Sequence, residues 1–394
     1  MHIVLFHFYS SDPNPVYQEI AAALRRRGHV VWVGAPNRSG DLEWRDGEQV
    51  VATKPGPMSV PPWMLRIPLL VPLWKRFSSF RFALEVRTFL RLIGPHIAQV
   101  NLNSFAWVVP LGMPDKVHFV YDVRQINERV SSSLVVRARE QGSILVRKAC
   151  ARFFYEHTCF CHLEAARRIL GSNWSTRGTV IPVGLDPRFL TLERFPSTQL
   201  DRTDCVRFIY VGTVSRHRVL EKLLYAVRRL LTYTDRFQLD LVGPDVAQGY
   251  YHDLVDSLGI ASVAAVKPPV PYESIPELIS SYDVGIAYVP HRPTWDYQPA
   301  IKVLEYRALG LPMISTDVAA HREFVTDGVN GFLVDDSVES WAEAMRQFVV
   351  DRDLLRRLGA NAQAMRQGVT WDEVAMMYEK VYVRLEQQSH REKG

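Results

Sequence analysis

Apolar and polar positions at the start of the chain follow the order that a parallel α/β sheet requires. Residues 2–8 form an apolar, strand-like stretch, residues 16–27 have helical periodicity, and residues 30–33 resume as a strand after Gly28. A strand–helix–strand unit of this kind begins a parallel sheet. Later apolar stretches predict further strands of the same half, at residues 96–100, 117–121, 151–161 and 179–182.

A second series of alternating strands and helices begins near residue 205. It predicts strands at residues 206–212, 237–242, 261–266, 284–288, 313–315 and 332–334. Helices are predicted at residues 220–233, 250–258, 299–309, 337–349, 351–365 and 371–386. Because two α/β halves of similar size follow one another, we expect a cleft between them where ligands bind at the carboxyl ends of the strands.

The same pattern predicts the domain boundaries. A polar stretch without clear periodicity, residues 186–204, separates the two halves. We therefore predict a first domain, a linker, a second domain, and a C-terminal helix with its tail, at residues 1–190, 191–204, 205–370 and 371–394.

Composition narrows the class of protein. Of the 394 residues, 47% are hydrophobic and 23% are charged, which excludes a disordered or fibrous protein. The net charge of +5 is too small to indicate a nucleic-acid partner without a clustered basic face. Four cysteines do not make a disulfide framework. Since no leader and no uninterrupted apolar span of roughly 20 residues stands out, we expect a cytoplasmic protein.

The most informative stretch is residues 299–317. Its first part predicts a helix that ends at Gly310, followed by a buried strand. Lys302 and Glu305 are three residues apart and share one face of that helix. A helix N-terminus attracts phosphate, and a carboxylate one turn deeper can accept hydrogen bonds from a ribose diol. The alternative is a surface helix that carries one ordinary ion pair.

This stretch resembles the nucleotide-sugar signature of glycosyltransferase family 4 (group 1), retaining enzymes with the two-domain GT-B fold. The family's sequence Glu-x-x-Ala-x-Gly-x-Pro is matched by Glu305, Ala308, Gly310 and Pro312. Other landmarks stand in the family's order along nearly the whole chain, at residues 181–186, 210–214, 241–243, 327–334 and 371–372. The resemblance implies two Rossmann-like domains facing a central cleft, with a C-terminal helix that returns to the first domain.

The resemblance also implies roles for particular residues. The second domain would hold a nucleoside-diphosphate sugar, the first domain a carbohydrate, lipid-linked or small-molecule acceptor, and neither a metal nor another cofactor would be needed. Arg218 and Lys302 would stabilise the departing diphosphate as the catalytic pair, and Glu305 would bind the ribose. The other expected donor-binding residues are Gly212, Thr213, Arg216, Gly243, Asp296, Tyr297, Pro299, Ala300 and Ile301.

Several positions depart from the family's pattern. Tyr297 stands where many members have a Glu that contacts the donor sugar, so Asp296 or the N–H groups of residues 299–301 are alternatives for that contact. Thr213 replaces the Arg of the phosphate clamp, and Arg218 stands in place of its Lys. Residues 216–218 have a second interpretation as a solvated basic loop.

Two other parts of the first half are candidates for acceptor contacts. Asp12 lies in a loop without the usual Gly, and Asp122 and Arg124 follow a predicted strand; these two either address hydroxyl groups or pair with each other. Residues 61–82 interleave aromatic with basic side chains, which is typical of a surface that meets lipid at the inner face of a membrane. The alternatives are an apolar acceptor pocket or plain core.

Other chemistry finds little support in the sequence. His157, Cys159, Cys161 and His162 have the wrong spacing for a common zinc site, so we predict no metal. No nucleophile elbow, P-loop or dinucleotide fingerprint is present. A retaining glycosyltransferase of polysaccharide or glycoconjugate biosynthesis is therefore the main prediction. A sugar-nucleotide epimerase or phosphorylase of the same fold, or a catalytically silent nucleotide-sugar binding protein, is the alternative.

Overall fold

The computed structural model describes two compact units. Unit 1 consists of residues Met1–Gly184 and Val369–Gly394, and unit 2 of residues Leu185–Gly368. Most of the predicted linker, and all of Asp12, lie outside the described residues. The structure describes residues 1–7, 15–36, 42–47, 49–54, 70–101, 105–124, 126, 134–193 and 205–392.

Unit 1 alternates strands and helices along most of its length. Its strands are β1 (His2–His7), β2 (Val30–Pro36), β3 (Leu42–Asp46), β4 (Gln49–Lys54), β5 (Ile97–Asn101), β6 (His118–Val123), β7 (His157–Phe160) and β8 (Gly178–Val180). Its helices are α1 (Pro15–Arg26), α2 (Leu70–Ile93), α3 (Leu134–Ala149), α4 (Leu163–Leu170) and, from the end of the chain, the helix Trp371–Glu392. Within the described residues no helix is both long and apolar enough to span a membrane.

The sheet of unit 1 is parallel except at one edge. Its strand order is β4-β3-β2-β1-β5-β6-β7-β8, and the antiparallel pairs are β2–β3 and β3–β4. The hairpin was absent from the sequence prediction. Its first strand alternates, since Leu42 and Trp44 are buried and Glu43 and Arg45 are not.

The predicted strand at residues 151–161 was wrong in its first part. Residues Cys150–Phe154 continue the preceding helix as a π-helical turn, and only His157–Phe160 form a strand. Cys150 and Ala151 of this turn are buried, whereas Phe153 is 78% exposed. A short apolar stretch is compatible with a buried helix end as well as with a strand, which explains the error.

Unit 2 carries the second set of elements. Its strands are β9 (Val206–Val211), β10 (Phe237–Val242), β11 (Ala264–Lys267), β12 (Val284–Ala287), β13 (Met313–Thr316) and β14 (Gly331–Val334). Its helices are α5 (Arg188–Thr191), α6 (Glu221–Leu231), α7 (Tyr250–Ser257), α8 (Ile275–Ser280), α9 (Ile301–Leu309), α10 (Val338–Val350) and α11 (Arg352–Ala364). The helix Trp371–Glu392 of unit 1 follows as α12.

The sheet of unit 2 is parallel throughout its described strands. Its order is β11-β10-β9-β12-β13-β14, which is the doubly wound Rossmann order. From β9 the chain adds β10 and β11 on one side, and then returns to add β12, β13 and β14 on the other side, so the switch point lies between β9 and β12. Ligands of open α/β sheets bind outside the carboxyl ends of the strands at that switch point.

A buried polar network ties α12 to the sheet of unit 1. Asp122, 1% exposed near the end of β6, accepts hydrogen bonds from Tyr17, Gln99 (3.1 Å), Arg124 (3.3 Å) and Tyr378 (3.2 Å). The Arg124 guanidinium in turn donates to the Tyr378 hydroxyl on α12. Because burial without a partner would make this carboxylate costly, the network stabilises unit 1 only as a complete set.

We predict that Asp122→Asn destabilises unit 1 by about 3 kcal/mol, since it leaves the buried Arg124 guanidinium without its counter-charge. Amide hydrogen exchange of β5 and β6 in urea measures this within one unit. Asp372→Asn, which removes one side of an exposed ion pair with Arg26, is the matched control and should change stability by less than about 1 kcal/mol. Equal effects of the two variants would contradict the prediction.

Candidate functional site

The candidate site lies at the switch point of the unit 2 sheet. Gly212 follows the end of β9, and helix α9 follows β12 by way of the loop 289–300. Gly310 ends α9 with a left-handed φ of 68°, as the sequence predicted. The structure thus brings together the residues after β9 and the first turns of α9 within one unit.

Lys302 places an uncompensated amine in the interior of this site. Its side chain is 6% exposed, and among the described residues its Nζ has no hydrogen-bond partner. The Nζ instead lies 3.3 Å from the centre of the Tyr210 ring, on β9. Burial and the neighbouring Arg218 hold the pKa of Lys302 well below its usual range, and Glu305 opposes this shift. An anion bound here would restore the charge of the amine.

Arg218 supplies a second cation of the same kind. Its guanidinium lies over the Trp295 ring, 4.8 Å from the ring centre. Its Nη1 atom is buried and has no hydrogen-bond partner within the described part of the chain. Within the described residues neither Arg218 nor Lys302 forms a salt bridge, and the Arg218 guanidinium contributes to the lowered pKa of the Lys302 amine. Both basic groups lie against aromatic faces rather than carboxylates, so both are available to an anionic ligand.

The turn that presents Arg218 is strained and firmly held. Residue Val219 adopts φ 52°, a left-handed conformation that is costly for a β-branched side chain. The buried Tyr251 hydroxyl lies 3.2 Å from the carbonyl oxygen of Ser215 and 3.2 Å from the amide nitrogen of Leu220. These bonds hold the backbone on both sides of the turn Arg216–Arg218.

Two glycines make room beside the Lys302 amine. A Cβ added at Gly212 would lie 3.3 Å from the Lys302 Nζ, in a backbone conformation (φ 144°) that L side chains rarely adopt. A Cβ at Gly243, which follows β10, would collide with the carbonyl oxygen of Gly212. Both predicted glycines therefore lie where the backbone must approach the site closely.

Glu305 lies one turn beyond Lys302 on α9. Its side chain is 5% exposed, and its carboxylate accepts no hydrogen bond from the described residues. Burial raises the pKa of Glu305 to about 7, and the Lys302 amine partly offsets that rise. A buried carboxylate without donors is suited to a ligand that brings hydroxyl groups.

The loop 289–300 holds the remaining donor-side candidates near the start of α9. Its 3-10 turn Pro293–Asp296 carries Trp295, and the Asp296 carboxylate accepts a hydrogen bond from the Ala319 amide (3.1 Å). Tyr297 is partly exposed at the end of that turn, Pro299 and Ala300 are buried, and Ile301 is 42% exposed. Ala300 is the N-cap of α9, and its methyl side chain leaves the first N–H groups of the helix without a side-chain acceptor.

The other predicted residues have different surroundings. Thr213 follows Gly212, and its carbonyl accepts a hydrogen bond from the Tyr210 hydroxyl (3.4 Å). Arg216 is exposed and lies over the Tyr250 ring at 4.0 Å. In unit 1, Asp122 and Arg124 are paired and buried in the network that holds α12, so their contacts support the pairing interpretation.

The residues that support the cations were not evident from the sequence. Trp295 was not named, and Tyr210 entered only as part of a strand motif. His321 was also missed, although its Nε2 accepts the Ala300 amide hydrogen at 3.2 Å. Tyr210 is close in sequence to Gly212, and Trp295 lies in the loop before α9, so both could have been considered. Only the fold shows that Tyr210 lies under Lys302 and Trp295 under Arg218.

Comparison with known proteins places these residues in a family. Residues 195–365 match the family model of the glycosyl transferases group 1. A D-inositol 3-phosphate glycosyltransferase of Thermobifida fusca is 28% identical over 179 residues, which are 43% of this chain and 40% of that protein. The enzyme of the same name from Geodermatophilus obscurus is 29% identical over 235 residues, 53% of this chain and 50% of its own length. The chain thus spans half or less of these relatives.

Similar solved structures cover almost the whole chain. The sucrose-phosphate synthase of Thermosynechococcus elongatus has a TM-score of 0.71 at 18% identity and covers 98% of this chain and 99% of its own. HepE of Anabaena in complex with UDP-glucose has a TM-score of 0.67 at 14% identity, covering 98% and 100%. At such identities the likeness concerns the fold. Residues 195–365 therefore carry the glycosyl transferases group 1 domain that the sequence motifs predicted, in a chain with the GT-B fold.

Proposed function

We propose that the protein is a glycosyltransferase that moves a sugar from a nucleoside-diphosphate sugar to an acceptor hydroxyl, with retention of configuration and without a metal ion. The observation that carries the proposal is the pair of unneutralised cations, Arg218 and Lys302, beside the N-terminus of α9. A diphosphate supplies the negative charge that both cations and the helix end lack.

The arrangement suits the departure of a diphosphate. In the transfer, the bond between the anomeric carbon and the diphosphate oxygen breaks, and the acceptor oxygen forms the new glycosidic bond. The acceptor proton passes to the departing diphosphate on the same face of the sugar. Negative charge therefore grows on the diphosphate, where Arg218 and Lys302 stabilise it most in the transition state.

Glu305 fits the nucleoside end of the same ligand. Its carboxylate lies one turn from Lys302 and accepts no hydrogen bond from the described residues, so a ribose diol has an acceptor within reach of a bound diphosphate. The solved structures named with UDP and UDP-glucose share this fold, which makes UDP and UDP-glucose the first donor probes.

We predict that Lys302→Met lowers UDP affinity at least tenfold while leaving uridine affinity unchanged, since it removes one charged contact to phosphate. Arg218→Gln should act in the same direction. Lys302→Met should also stabilise the unliganded protein, because it removes a buried cation but keeps the aliphatic stem. Isothermal titration with UDP and with uridine measures the first effect, and urea unfolding the second.

The control variant for this test is Arg229→Met, on the exposed face of α6, which should leave both affinities unchanged. Equal losses for UDP and uridine would contradict the phosphate role of Lys302. Transfer from the donor should persist with a chelator present, and a requirement for a divalent ion would contradict metal independence. UDP binding without any transfer or hydrolysis of a panel of UDP-sugars would instead indicate the binding protein.

The ionisation of Glu305 makes stability depend on pH. Since burial raises its pKa to about 7, the folded protein favours the protonated carboxyl more than the unfolded chain does. The protonation of Glu305 therefore contributes to the free energy of unfolding. This contribution is fully present below the ordinary pKa of 4.5 and is lost as the pH rises through about 7.

We predict that Glu305→Gln gains stability over the wild type between about pH 5 and about pH 8, by up to about 3 kcal/mol, because glutamine stays neutral. Urea unfolding of the unliganded proteins, monitored by the hydrogen exchange of amides in unit 2, measures the difference in unfolding free energy at both pH values. Glu339→Gln, at an exposed position of α10, is the control and should show no such trend. A difference that stays constant with pH would refute the buried ionisation.

We further propose that the acceptor is presented at a membrane surface. The predicted lipid-facing segment begins outside the described residues, but its later part lies in α2. There Phe77 is 50% exposed beside the Trp74 ring (5.9 Å between centroids), and Arg81 is exposed, whereas Phe82 belongs to the core. An exposed ring, a half-buried ring and an exposed basic side chain on one helix support contact with anionic lipid. D-inositol 3-phosphate, after the name of the relatives, is the soluble acceptor to compare.

We predict that the wild-type protein floats with phosphatidylcholine vesicles that contain phosphatidylglycerol and is released by salt, because screening weakens its basic contacts. Trp74→Ser with Phe77→Ser should abolish flotation without unfolding the protein. Leu92→Ser, an 82% exposed position on the same helix, is the matched control and should still float. Wild-type protein that remains in the soluble fraction at low salt would refute the membrane proposal.

A further inference from the structure

His321 is a fully buried histidine at the edge of the candidate site. It follows β13 and has no exposed surface. Its Nδ1 lies 2.8 Å from the Ser315 Oγ and 3.3 Å from the Thr316 carbonyl oxygen. On the opposite side of the ring, Nε2 lies 3.2 Å from the amide nitrogen of Ala300. The imidazole therefore connects the end of β13 to Ala300, the N-cap of α9.

The partners of the ring determine which nitrogen carries its proton. An amide nitrogen can only donate, so Nε2 must be the acceptor of the Ala300 N–H. The neutral imidazole then has its proton on Nδ1, which donates to the Ser315 hydroxyl or to the Thr316 carbonyl. This tautomer gives both ring nitrogens a hydrogen-bond partner. In a doubly protonated ring, the Nε2–H would point at the Ala300 N–H, and two donors would face each other.

The same segment anchors the loop 289–300 at two further points. The Thr316 Oγ1 accepts from the Val289 amide (3.0 Å) and donates to the Val289 carbonyl (2.8 Å). The Ala319 amide donates to the Asp296 carboxylate. The loop is therefore fixed at its beginning, near its 3-10 turn and at its end. Of these contacts, the bond from the Ala300 amide to His321 is the nearest to Lys302 in the sequence, because Ala300 lies two residues before that lysine.

We propose that His321 is a positioning residue for the phosphate-binding end of α9. By holding the Ala300 amide, it sets where α9 begins and so directs the first N–H groups of the helix and the Lys302 amine at the diphosphate. This inference rests on the proposed donor site. It assigns no direct ligand contact to His321, because its two ring nitrogens are engaged by the protein.

Two substitutions separate the two sides of the ring. His321→Gln carries an amide oxygen near the former Nε2, which can accept from Ala300. His321→Asn reaches only the former Nδ1 position and keeps the Ser315 side. We expect His321→Asn to weaken UDP binding about tenfold, with uridine binding unchanged, whereas His321→Gln should stay within about threefold of the wild type for both ligands.

A third substitution tests the bond from its other partner. Ala300 has φ −68°, which proline can adopt. In Ala300→Pro the ring Cδ replaces the amide hydrogen, so the variant removes the bond to the His321 Nε2 and sets the ring against that nitrogen. It should reproduce the selective loss of UDP affinity. This variant keeps the proposal testable if His321→Asn fails to fold, as judged by its urea unfolding curve.

The outcomes separate this inference from the donor-site proposal. A selective loss of UDP affinity in His321→Asn and Ala300→Pro, with recovery in His321→Gln, supports the positioning role. Unchanged UDP affinity in a folded His321→Asn or Ala300→Pro, or equal losses for UDP and uridine, would overturn it. If the wild type binds neither UDP nor uridine, the donor site itself is refuted, whatever the variants do.

Discussion

The buried amine of Lys302 is the constraint around which the site in unit 2 is organised. An ammonium group removed from water without a partner destabilises a folded protein by several kcal/mol. Its environment offers the Tyr210 ring face and, one turn further along α9, the Glu305 carboxylate, which is not hydrogen-bonded to the amine. The folded chain therefore maintains an unfavourable arrangement whose relief depends on a ligand, which is typical of a functional site.

The neighbouring elements hold the backbone around the Lys302 amine in place. The strained Val219, the close approach of Gly243 to Gly212 and the anchored loop 289–300 each leave little freedom for the backbone near the amine. The large apolar core of unit 2, which includes β9, β10, β12 and the helices packed on them, provides the stability that such local strain requires. A backbone held in this way leaves the Lys302 amine and its surroundings in one arrangement.

Local sequence signals predicted the parts of the structure that local interactions decide. The helix before Gly310, the strand that ends at Gly212 and most of the unit 2 elements follow from periodicity and from glycine positions, and the ordered motifs indicated the fold. The pairing of Arg218 with Trp295, of Lys302 with Tyr210 and of His321 with Ala300 joins residues from different elements. No spacing along one chain shows such contacts, since they depend on strand order and on the path of loops. The hairpin β3–β4 was missed for a related reason, because its edge position allows a mixture of apolar and charged residues.

The connection of α12 to unit 1 has a consequence for the order in which the chain can fold. Unit 1 is discontinuous in sequence, and all of unit 2 lies between its two parts. During synthesis unit 2 can therefore be complete while unit 1 still lacks the Tyr378 hydroxyl that its Asp122–Arg124 pair requires. A nascent chain at that stage would hold an immature first domain, open to chaperones and proteases, beside a finished second one. Helix α12 thus determines when the first domain matures, because it leaves the ribosome only after all of unit 2.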